Sequence, residues 1–261
     1  PLVMPPDIPL WQVAVATIFA VLIGKEAFGG TGMNVLNVAL TARAFLYFAY
    51  PVDISGEVWA YLPEGAKTVA GYSGATPLAV AAESIESGKD VVASFAHFGA
   101  GWADNIFSFT NMFLGFIPGC IGETSTLMCL IGAFILISTG VGSWKIIVSV
   151  FGGAYAMGLL LNLIGGNPYV MMPAEYHLVI GGLAFGAVFM ATDPVTATQT
   201  ETGKWVYGAL IGVMTVLIRV FNPAYPEGIM LAILLMNVFA PLIDYFVVSA
   251  NKKRRLKRAT V

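Results

Sequence analysis

Long apolar runs separated by short polar breaks make up most of this chain, and one polar interval of about fifty residues interrupts them. The first run covers residues 8–24 and is nearly free of charge. Lys25-Glu26 closes it, and the glycine-rich turn Gly29-Gly30-Thr31-Gly32 follows. The second run, 33–50, carries Asn34, Asn37 and Arg43 within it. Beyond the interval, apolar segments resume at 106–118, 125–140, 144–164, 178–192, 205–221 and 229–250. A membrane-crossing helix needs about 20 apolar residues, or about 17 at the short end. The 106–118 segment falls below that length and contains Asn111 and Pro118, which predicts an interfacial or re-entrant helix. Several other runs are short and flanked by Gly, Pro and Asn; irregular backbone of that kind must be buried or wet in a membrane. The pattern predicts an all-α, polytopic membrane helix bundle with broken helices and one long loop outside the membrane.

Composition agrees. The 261 residues are 57% hydrophobic and 11% charged, whereas soluble domains carry roughly 25% charged residues. Six of the thirteen Lys and Arg fall between Lys252 and Arg258. Clustered bases can mark a nucleic-acid partner, but directly after an apolar span they predict a cytoplasmic anchor, so no nucleic-acid partner is expected. Five expected spans separate the polar interval from this tail, and an odd number places the two on opposite sides. The expected organisation is therefore two spans in 1–50, an extracytoplasmic loop in 51–104, five spans and a short interfacial helix in 105–250, and a basic cytoplasmic tail in 251–261. Cys120 and Cys129 lack metal-site spacing and a nearby histidine pair, which predicts buried small residues. His97 and His177 are expected to be structural. No glycine-rich dinucleotide fingerprint follows a strand, so NADH is not expected to bind this chain.

Within the interval, Ser73-Gly74-Ala75-Thr76-Pro77 sets a hydroxyl among small residues. Gly74 and Ala75 leave the backbone uncrowded, and Pro77 biases Thr76 toward an extended conformation. By themselves these features fit an ordinary polar turn as well as a modification site. Glu26, Glu123, Asp193, Glu227 and Asp244 lie in or beside apolar runs. Charge at membrane depth is costly, so such residues either face a wet path or a partner, or end helices at the interface. Asp193 precedes Pro194, where a helix break would free carbonyls for a cation. Arg43 and Arg219 could pair with these acids or reach the headgroups. Asn34 and Asn37, three apart, are expected to share a helix face, as helix-to-helix contacts or as hydrogen-bonding groups for a ligand.

Four strings occur in an order that identifies a family: Gly24-Lys25-Glu26-Ala27-Phe28-Gly29-Gly30-Thr31-Gly32, the Ser73 to Thr76 motif, Gly122-Glu123-Thr124-Ser125-Thr126-Leu127, and Asn222-Pro223-Ala224-Tyr225-Pro226-Glu227-Gly228. With them the chain resembles the NqrB/RnfD family, closely the NqrB-type membrane subunits of the sodium-translocating NADH:quinone oxidoreductase and, more distantly, the RnfD-type subunits of the Rnf complex. That resemblance implies FMN attached through a phosphoester to Thr76, with Ser73, Gly74 and Ala75 completing the motif read by a flavin transferase. The family commonly has aspartate six residues before that threonine, where this chain has Ala70. It also implies a non-covalent riboflavin in the membrane part, to which Asn34 and Asn37 would contribute; Val38 stands where the family usually has proline. Ubiquinone would be reduced near the cytoplasmic side, and acids of these helices, here Glu26 and Asp244, would serve sodium uptake. An inverted pair of helical repeats, neighbouring subunits of a bacterial inner-membrane complex and a longer N-terminus are further implications; on that reading the chain is a C-terminal part and not active alone. The turns at 29–34 and 193–203 resemble one another, as corresponding positions of two repeats would.

Two other functions fit parts of the pattern. A non-redox channel or secondary transporter would explain the broken helices but has no need of a flavin attachment site. An Rnf-type subunit would exchange electrons with ferredoxin rather than quinone.

Overall fold

Two long helices set the frame. In a computed structural model, which describes residues 2–54, 58–60, 73–98, 106–222 and 225–259, α8 (Trp144–Ile164) and α11 (Glu201–Phe221) have 21 residues each. At about 1.5 Å per residue each is roughly 31 Å long, the thickness of a bilayer's hydrocarbon core. They run parallel. Lys145 at the start of α8 meets Glu201 at the start of α11 at 2.5 Å, and the Trp144 and Trp205 rings meet edge-on with centroids 5.6 Å apart. Small residues let the two backbones approach closely. A Cβ on Gly153 would lie 2.4 Å from the Ala209 carbonyl oxygen, and one on Gly212 would lie 2.2 Å from that of Val150. Lipid tails are as apolar as leucine, so this close packing, and not water exclusion, holds such helices together. α12 (Ile229–Ala259) returns antiparallel to α11, with Asn237 beside Tyr207 and Asp244 beside Thr200.

Because α8 and α11 are parallel, the chain between them must recross the same thickness. It does so in pieces: α9 (Tyr176–Val179), a break through Ile180, Gly181 and Gly182, then α10 (Leu183–Phe185), extended by one π turn, Gly186–Met190. The sequence pattern reads 178–192 as one span. Gly181 interrupts it by taking φ +63°, the left-handed region that glycine enters without steric cost.

α1 (Leu10–Gly24) and α2 (Val38–Ala49) form an antiparallel hairpin. Trp11 packs against Tyr50, Phe19 stacks on Phe45, and Gly24 lies beside Thr41. The run expected at 33–50 becomes helical only at Val38. The Asn37 side chain caps it, accepting from Ala39 N at 3.1 Å and Leu40 N at 3.2 Å, which asparagine does best outside the helix. α7 (Thr126–Ser138), at 13 residues, is also shorter than a full span. Among the described residues, four helices are long and apolar enough to cross a membrane, α1 with its 3₁₀ extension, α8, α11 and α12. Their outer faces, like that of α7, present apolar side chains such as Ile18, Phe134, Leu163 and Phe246. The chain is an all-α, polytopic membrane protein.

The polar interval is not loop throughout. It holds α3 (Pro51–Ile54), a two-residue antiparallel pairing of β1 (Trp59–Ala60) with β2 (Ser73–Gly74), α4 (Pro77–Ser87) and α5 (Val91–His97). α6 (Phe109–Leu114) follows as a short helix where the pattern predicts one. Leu78, Ala81, Val91, Phe95, Phe107 and Met112 bury one another against Tyr169 and Ile180. That cluster seats α4 on the helix break.

Candidate functional site

The break after α9 leaves carbonyls without helical partners, and Arg219 takes them. Its side chain is fully buried. Nη1 donates to the His177 carbonyl at 2.7 Å, Nη2 to that of Ile180 at 2.9 Å, and Nε to that of Glu227 at 3.1 Å. Orphaned helix-end carbonyls need such donors. Arg219 therefore neither pairs with an acid side chain through a hydrogen bond nor reaches the headgroups; it ties α11 to the end of α9 and to the turn before α12.

α4 sits on this break. Leu78, 2% exposed, fills the hollow that Gly181 leaves: a Cβ on Gly181 would lie 2.2 Å from Leu78 Cδ1 and 3.4 Å from Arg219 Nη2. Thr76 is the N-cap of α4. It takes φ −77° and ψ 160°, the extended region that a following proline favours, and its Oγ1 accepts from Ala79 N at 3.3 Å. Pro77 occupies the first helical position, where its missing N–H leaves no bond unmade. Ser73 and Gly74 pair with Ala60 and Trp59, and Trp59 is buried in the core. The motif is thus held on one side by a strand pairing and on the other by a docked helix. Ala70 lies outside the described residues.

Beneath Thr76 lies a buried trio of charges. Arg43, from α2, donates through Nη2 to Glu227 Oε1, and its Nη1 stands 3.5 Å from Glu123 Oε2. The Arg43 side chain is 1% exposed and that of Glu123 6%. Among the described residues, Glu123 Oε2, Glu227 Oε2 and Arg43 Nε have no hydrogen-bond partner. Gly182 makes room for the cluster, since a Cβ there would lie 2.7 Å from Glu123 Oε2. Thr76, Gly119, Glu123, Thr124, Gly181 and Glu227 line one cavity of about 20 Å³.

The sequence-predicted residues divide between this site and more distant places. Asp244 is beside Thr200, at the opposite end of α11 from Arg219. Its Oδ2 accepts from Gln199 N at 2.8 Å, and its Oδ1 from Thr200 N at 3.0 Å and Thr200 Oγ1 at 2.6 Å. Nineteen residues separate Thr200 from Arg219, about 29 Å along the helix. The basic end of α12 follows Asp244, so it and Thr76 lie toward opposite ends of α11. Asp193 closes its own turn, accepting from Val195 N and Thr196 Oγ1. Glu26 is exposed in the 3₁₀ turn after α1. Asn34 and Asn37 do not share a helix face, because Asn34 precedes the helix that Asn37 caps. Asn34 Oδ1 is buried with no hydrogen-bond partner among the described residues. With the Asn237 amide turned to satisfy both its ends, Oδ1 accepts from Asn37 N at 3.1 Å and Nδ2 donates to Tyr207 Oη at 2.7 Å. The start of α2 is thereby tied to α12 and, through Asn237, to Tyr207 in the second turn of α11. Cys120 and Cys129 are buried free thiols, and His177 is buried while His97 is exposed.

The elements that sequence reasoning missed are α4 and the glycine break. Thr-Pro at the head of an apolar-periodic stretch is an N-cap and first-position signature, and Gly181-Gly182 inside an apolar run is a breaker signal.

Comparison with known proteins agrees with the resemblance. The family model described as the NQR2, RnfD, RnfE family matches residues 1–253. The chain is 55% identical over 260 residues to the Na(+)-translocating NADH-quinone reductase B-subunit of Ectopseudomonas mendocina, covering 98% of this chain and 60% of that one. The protein of the same name from Chromohalobacter salexigens is 54% identical over 260 residues, with 98% and 58% covered. That of Stutzerimonas stutzeri is 55% identical over 261 residues, with 98% and 60% covered. The chain spans about 60% of the length of these curated relatives.

Proposed function

The chain belongs to the NQR2, RnfD, RnfE family, and from that premise we propose that it forms part of the membrane subunit of a bacterial sodium-pumping NADH:quinone oxidoreductase. In this reading Thr76 carries FMN through a phosphoester and a riboflavin in the membrane part passes electrons on to ubiquinone. The complex, with its other subunits in the inner membrane, couples that flow to Na⁺ movement. A flavin transferase installs the FMN. FMN supplies one- and two-electron chemistry, and the protein supplies attachment, orientation and electrostatics.

The observation that supports the reading best is the position of Thr76. Its hydroxyl stands at the N-terminus of the 11-residue α4, where the helix dipole favours a phosphate. The residues present therefore fit a phosphoester. Trp59 and Leu78 anchor the two sides of the attachment point, so a group joined there has a defined place above the helix break. The basic end of α12 favours the cytoplasmic side; Thr76, toward the other end of α11, is then extracytoplasmic. Asn34, whose oxygen has no hydrogen-bond partner among the described residues, and Asn37 remain the proposed polar contacts for riboflavin. Glu26 and Asp244 remain the proposed acids of the sodium path.

The test is the mass of tryptic peptides from protein made in cells that express the flavin transferase, beside a Thr76→Val control. An FMN-sized increment on the Thr76 peptide, lost in the control, supports the reading. An unmodified peptide, in cells that fully modify a sister subunit, rejects it for this chain and makes Ala70 the first residue to restore to aspartate.

A further inference from the structure

The last turns of α12 run beyond the helices that α12 packs against. Asn237 meets Tyr207, and Asp244 meets Thr200 at the start of α11. These contacts lie on both sides of Pro241, so α12 keeps its course along α11 past the proline. α11 is as long as the hydrocarbon core is thick, so Asp244 marks one edge of that core. Trp144 and Trp205, which meet near the same end, agree, because tryptophan gathers at the membrane–water boundary. From Asp244 the helix rises about 12 Å to Lys252, about 18 Å to Leu256 and about 21 Å to Arg258. The headgroup layer on each side is only about 5–8 Å deep. The last two turns of α12 therefore stand in water, beyond the lipid phosphates.

No acid follows Asp244 in the chain, while six bases fall between Lys252 and Arg258. Lys252, Lys253, Arg254 and Arg255 are exposed, and among the described residues none of these four forms an ion pair. Lys257 and Arg258 lie in the last turn, where the helix dipole favours a base. Lys252 and Arg255 precede that turn and, three apart, repel one another. Both line a shallow hollow along one face of the helix with Asn251 and Leu256, and the Leu256 side chain is exposed there. Bases that only anchor a span need neither a continued helix nor an exposed leucine among them. We infer that this face docks an acidic surface of a protein partner beyond the bilayer. Lys252 and Arg255 pair with its carboxylates and Leu256 packs against its apolar atoms, as an amphipathic helix does in a partner's groove. Charge complementarity selects the sign of the partner, and the reach of the helix selects protein over lipid headgroups.

The docking face rests on the reading of this chain as one subunit among several, and not on flavin attachment. The experiment is carbodiimide coupling, which joins lysine amines to carboxylates in direct contact, on the purified, detergent-solubilised complex. Coupled peptides, subunit composition and co-purified phospholipid are read by mass spectrometry. The unaltered protein is compared with Arg255→Glu, Leu256→Asp and the conservative Arg255→Lys, all at exposed positions that leave the fold intact. The expected result is Lys252 or Lys253 coupled to an Asp or Glu of another subunit. Coupling should fall severalfold in about 1 M salt, where charges act over only about 3 Å. It should fall severalfold in Arg255→Glu and Leu256→Asp and persist in Arg255→Lys. Other subunits present without coupling at either lysine overturn the face alone. So does coupling that Arg255→Glu and Leu256→Asp leave unchanged. Loss of co-purified anionic phospholipid in Arg255→Glu, with coupling unaltered, assigns the bases to the membrane and also overturns it. A chain that purifies without other subunits rejects both the docking face and the reading it rests on.

Discussion

Replacing Gly181 with alanine tests whether α4 is held on the helix break as described. Gly181 adopts φ +63°, and an L-residue in that region costs about 1–2 kcal/mol. The new methyl would stand 2.2 Å from Leu78 Cδ1, and relieving such an overlap in a packed core costs about 1–3 kcal/mol more. Gly181→Ala alone should therefore destabilise by roughly 2–5 kcal/mol. Leu78→Ala alone removes a side chain that is 2% exposed and should cost about 2–5 kcal/mol. The double variant is the informative one. With Leu78 shortened, the overlap disappears and the new methyl refills part of the cavity, leaving the backbone term. The double variant should be more stable than the sum of the single losses by about 0.5–3 kcal/mol, the range found for directly contacting residues. The assay is the melting midpoint of the solubilised complex, followed by the fraction that stays monodisperse after heating. Strictly additive losses would show that Leu78 and Gly181 do not touch, and that Thr76 is not positioned by the break.

Three further outcomes follow from the same geometry. Arg43→Met leaves two buried carboxylates unopposed and should cost about 3–5 kcal/mol; adding Glu227→Gln should recover a substantial part in a melting experiment, and no recovery would refute the pairing. Gly212→Val sets a side chain against the Val150 carbonyl, 2.2 Å from the new Cβ; backbone cannot yield as a rotamer does, so assembly, read as monodisperse yield, should be largely lost, and normal yield would refute the close crossing of α8 and α11. Asp244→Ala removes three hydrogen bonds at the start of α11 and should cost about 2–4 kcal/mol; an unchanged melting midpoint would show that those bonds contribute nothing net.

Hydrophobic run length predicted α8 to the residue, because a fully apolar stretch of bilayer length has few alternatives. It failed where polar residues inside a run do local work. Asn37 stops the helix from starting earlier by capping it, and Gly181-Gly182 divides a run whose mean apolarity is unbroken. Length alone also marked the whole of 51–104 as loop, although Thr76-Pro77 and Asp90 both precede helical stretches in capping positions. The chemistry of the motif was legible through resemblance. Its placement on the break was not, because Leu78 and Gly181 are over a hundred residues apart in the chain. Arg43 and Arg219 look equivalent in sequence, each an arginine within an apolar run. Their roles differ because their neighbours come from distant segments: Arg43 meets Glu227 across 184 positions, whereas Arg219 meets carbonyls freed 39 and 42 positions earlier.

That difference sets the electrostatics of the site. A break in a buried helix leaves carbonyls that would each cost about 1–3 kcal/mol if unpaired. Arg219 satisfies two of them and a third from the turn before α12, directing its hydrogen bonds to main chain. The same turn therefore receives its main-chain partner from Arg219 and its side-chain partner from Arg43. One guanidinium is then left between two carboxylates, beside the cavity that Thr76 lines. Had the segment crossed as an unbroken helix, Arg219 would have been free to pair with an acid. The break thus accounts for both the seat of α4 and the sharing of Arg43 by two carboxylates beneath it, so a substitution that heals the helix should disturb both together.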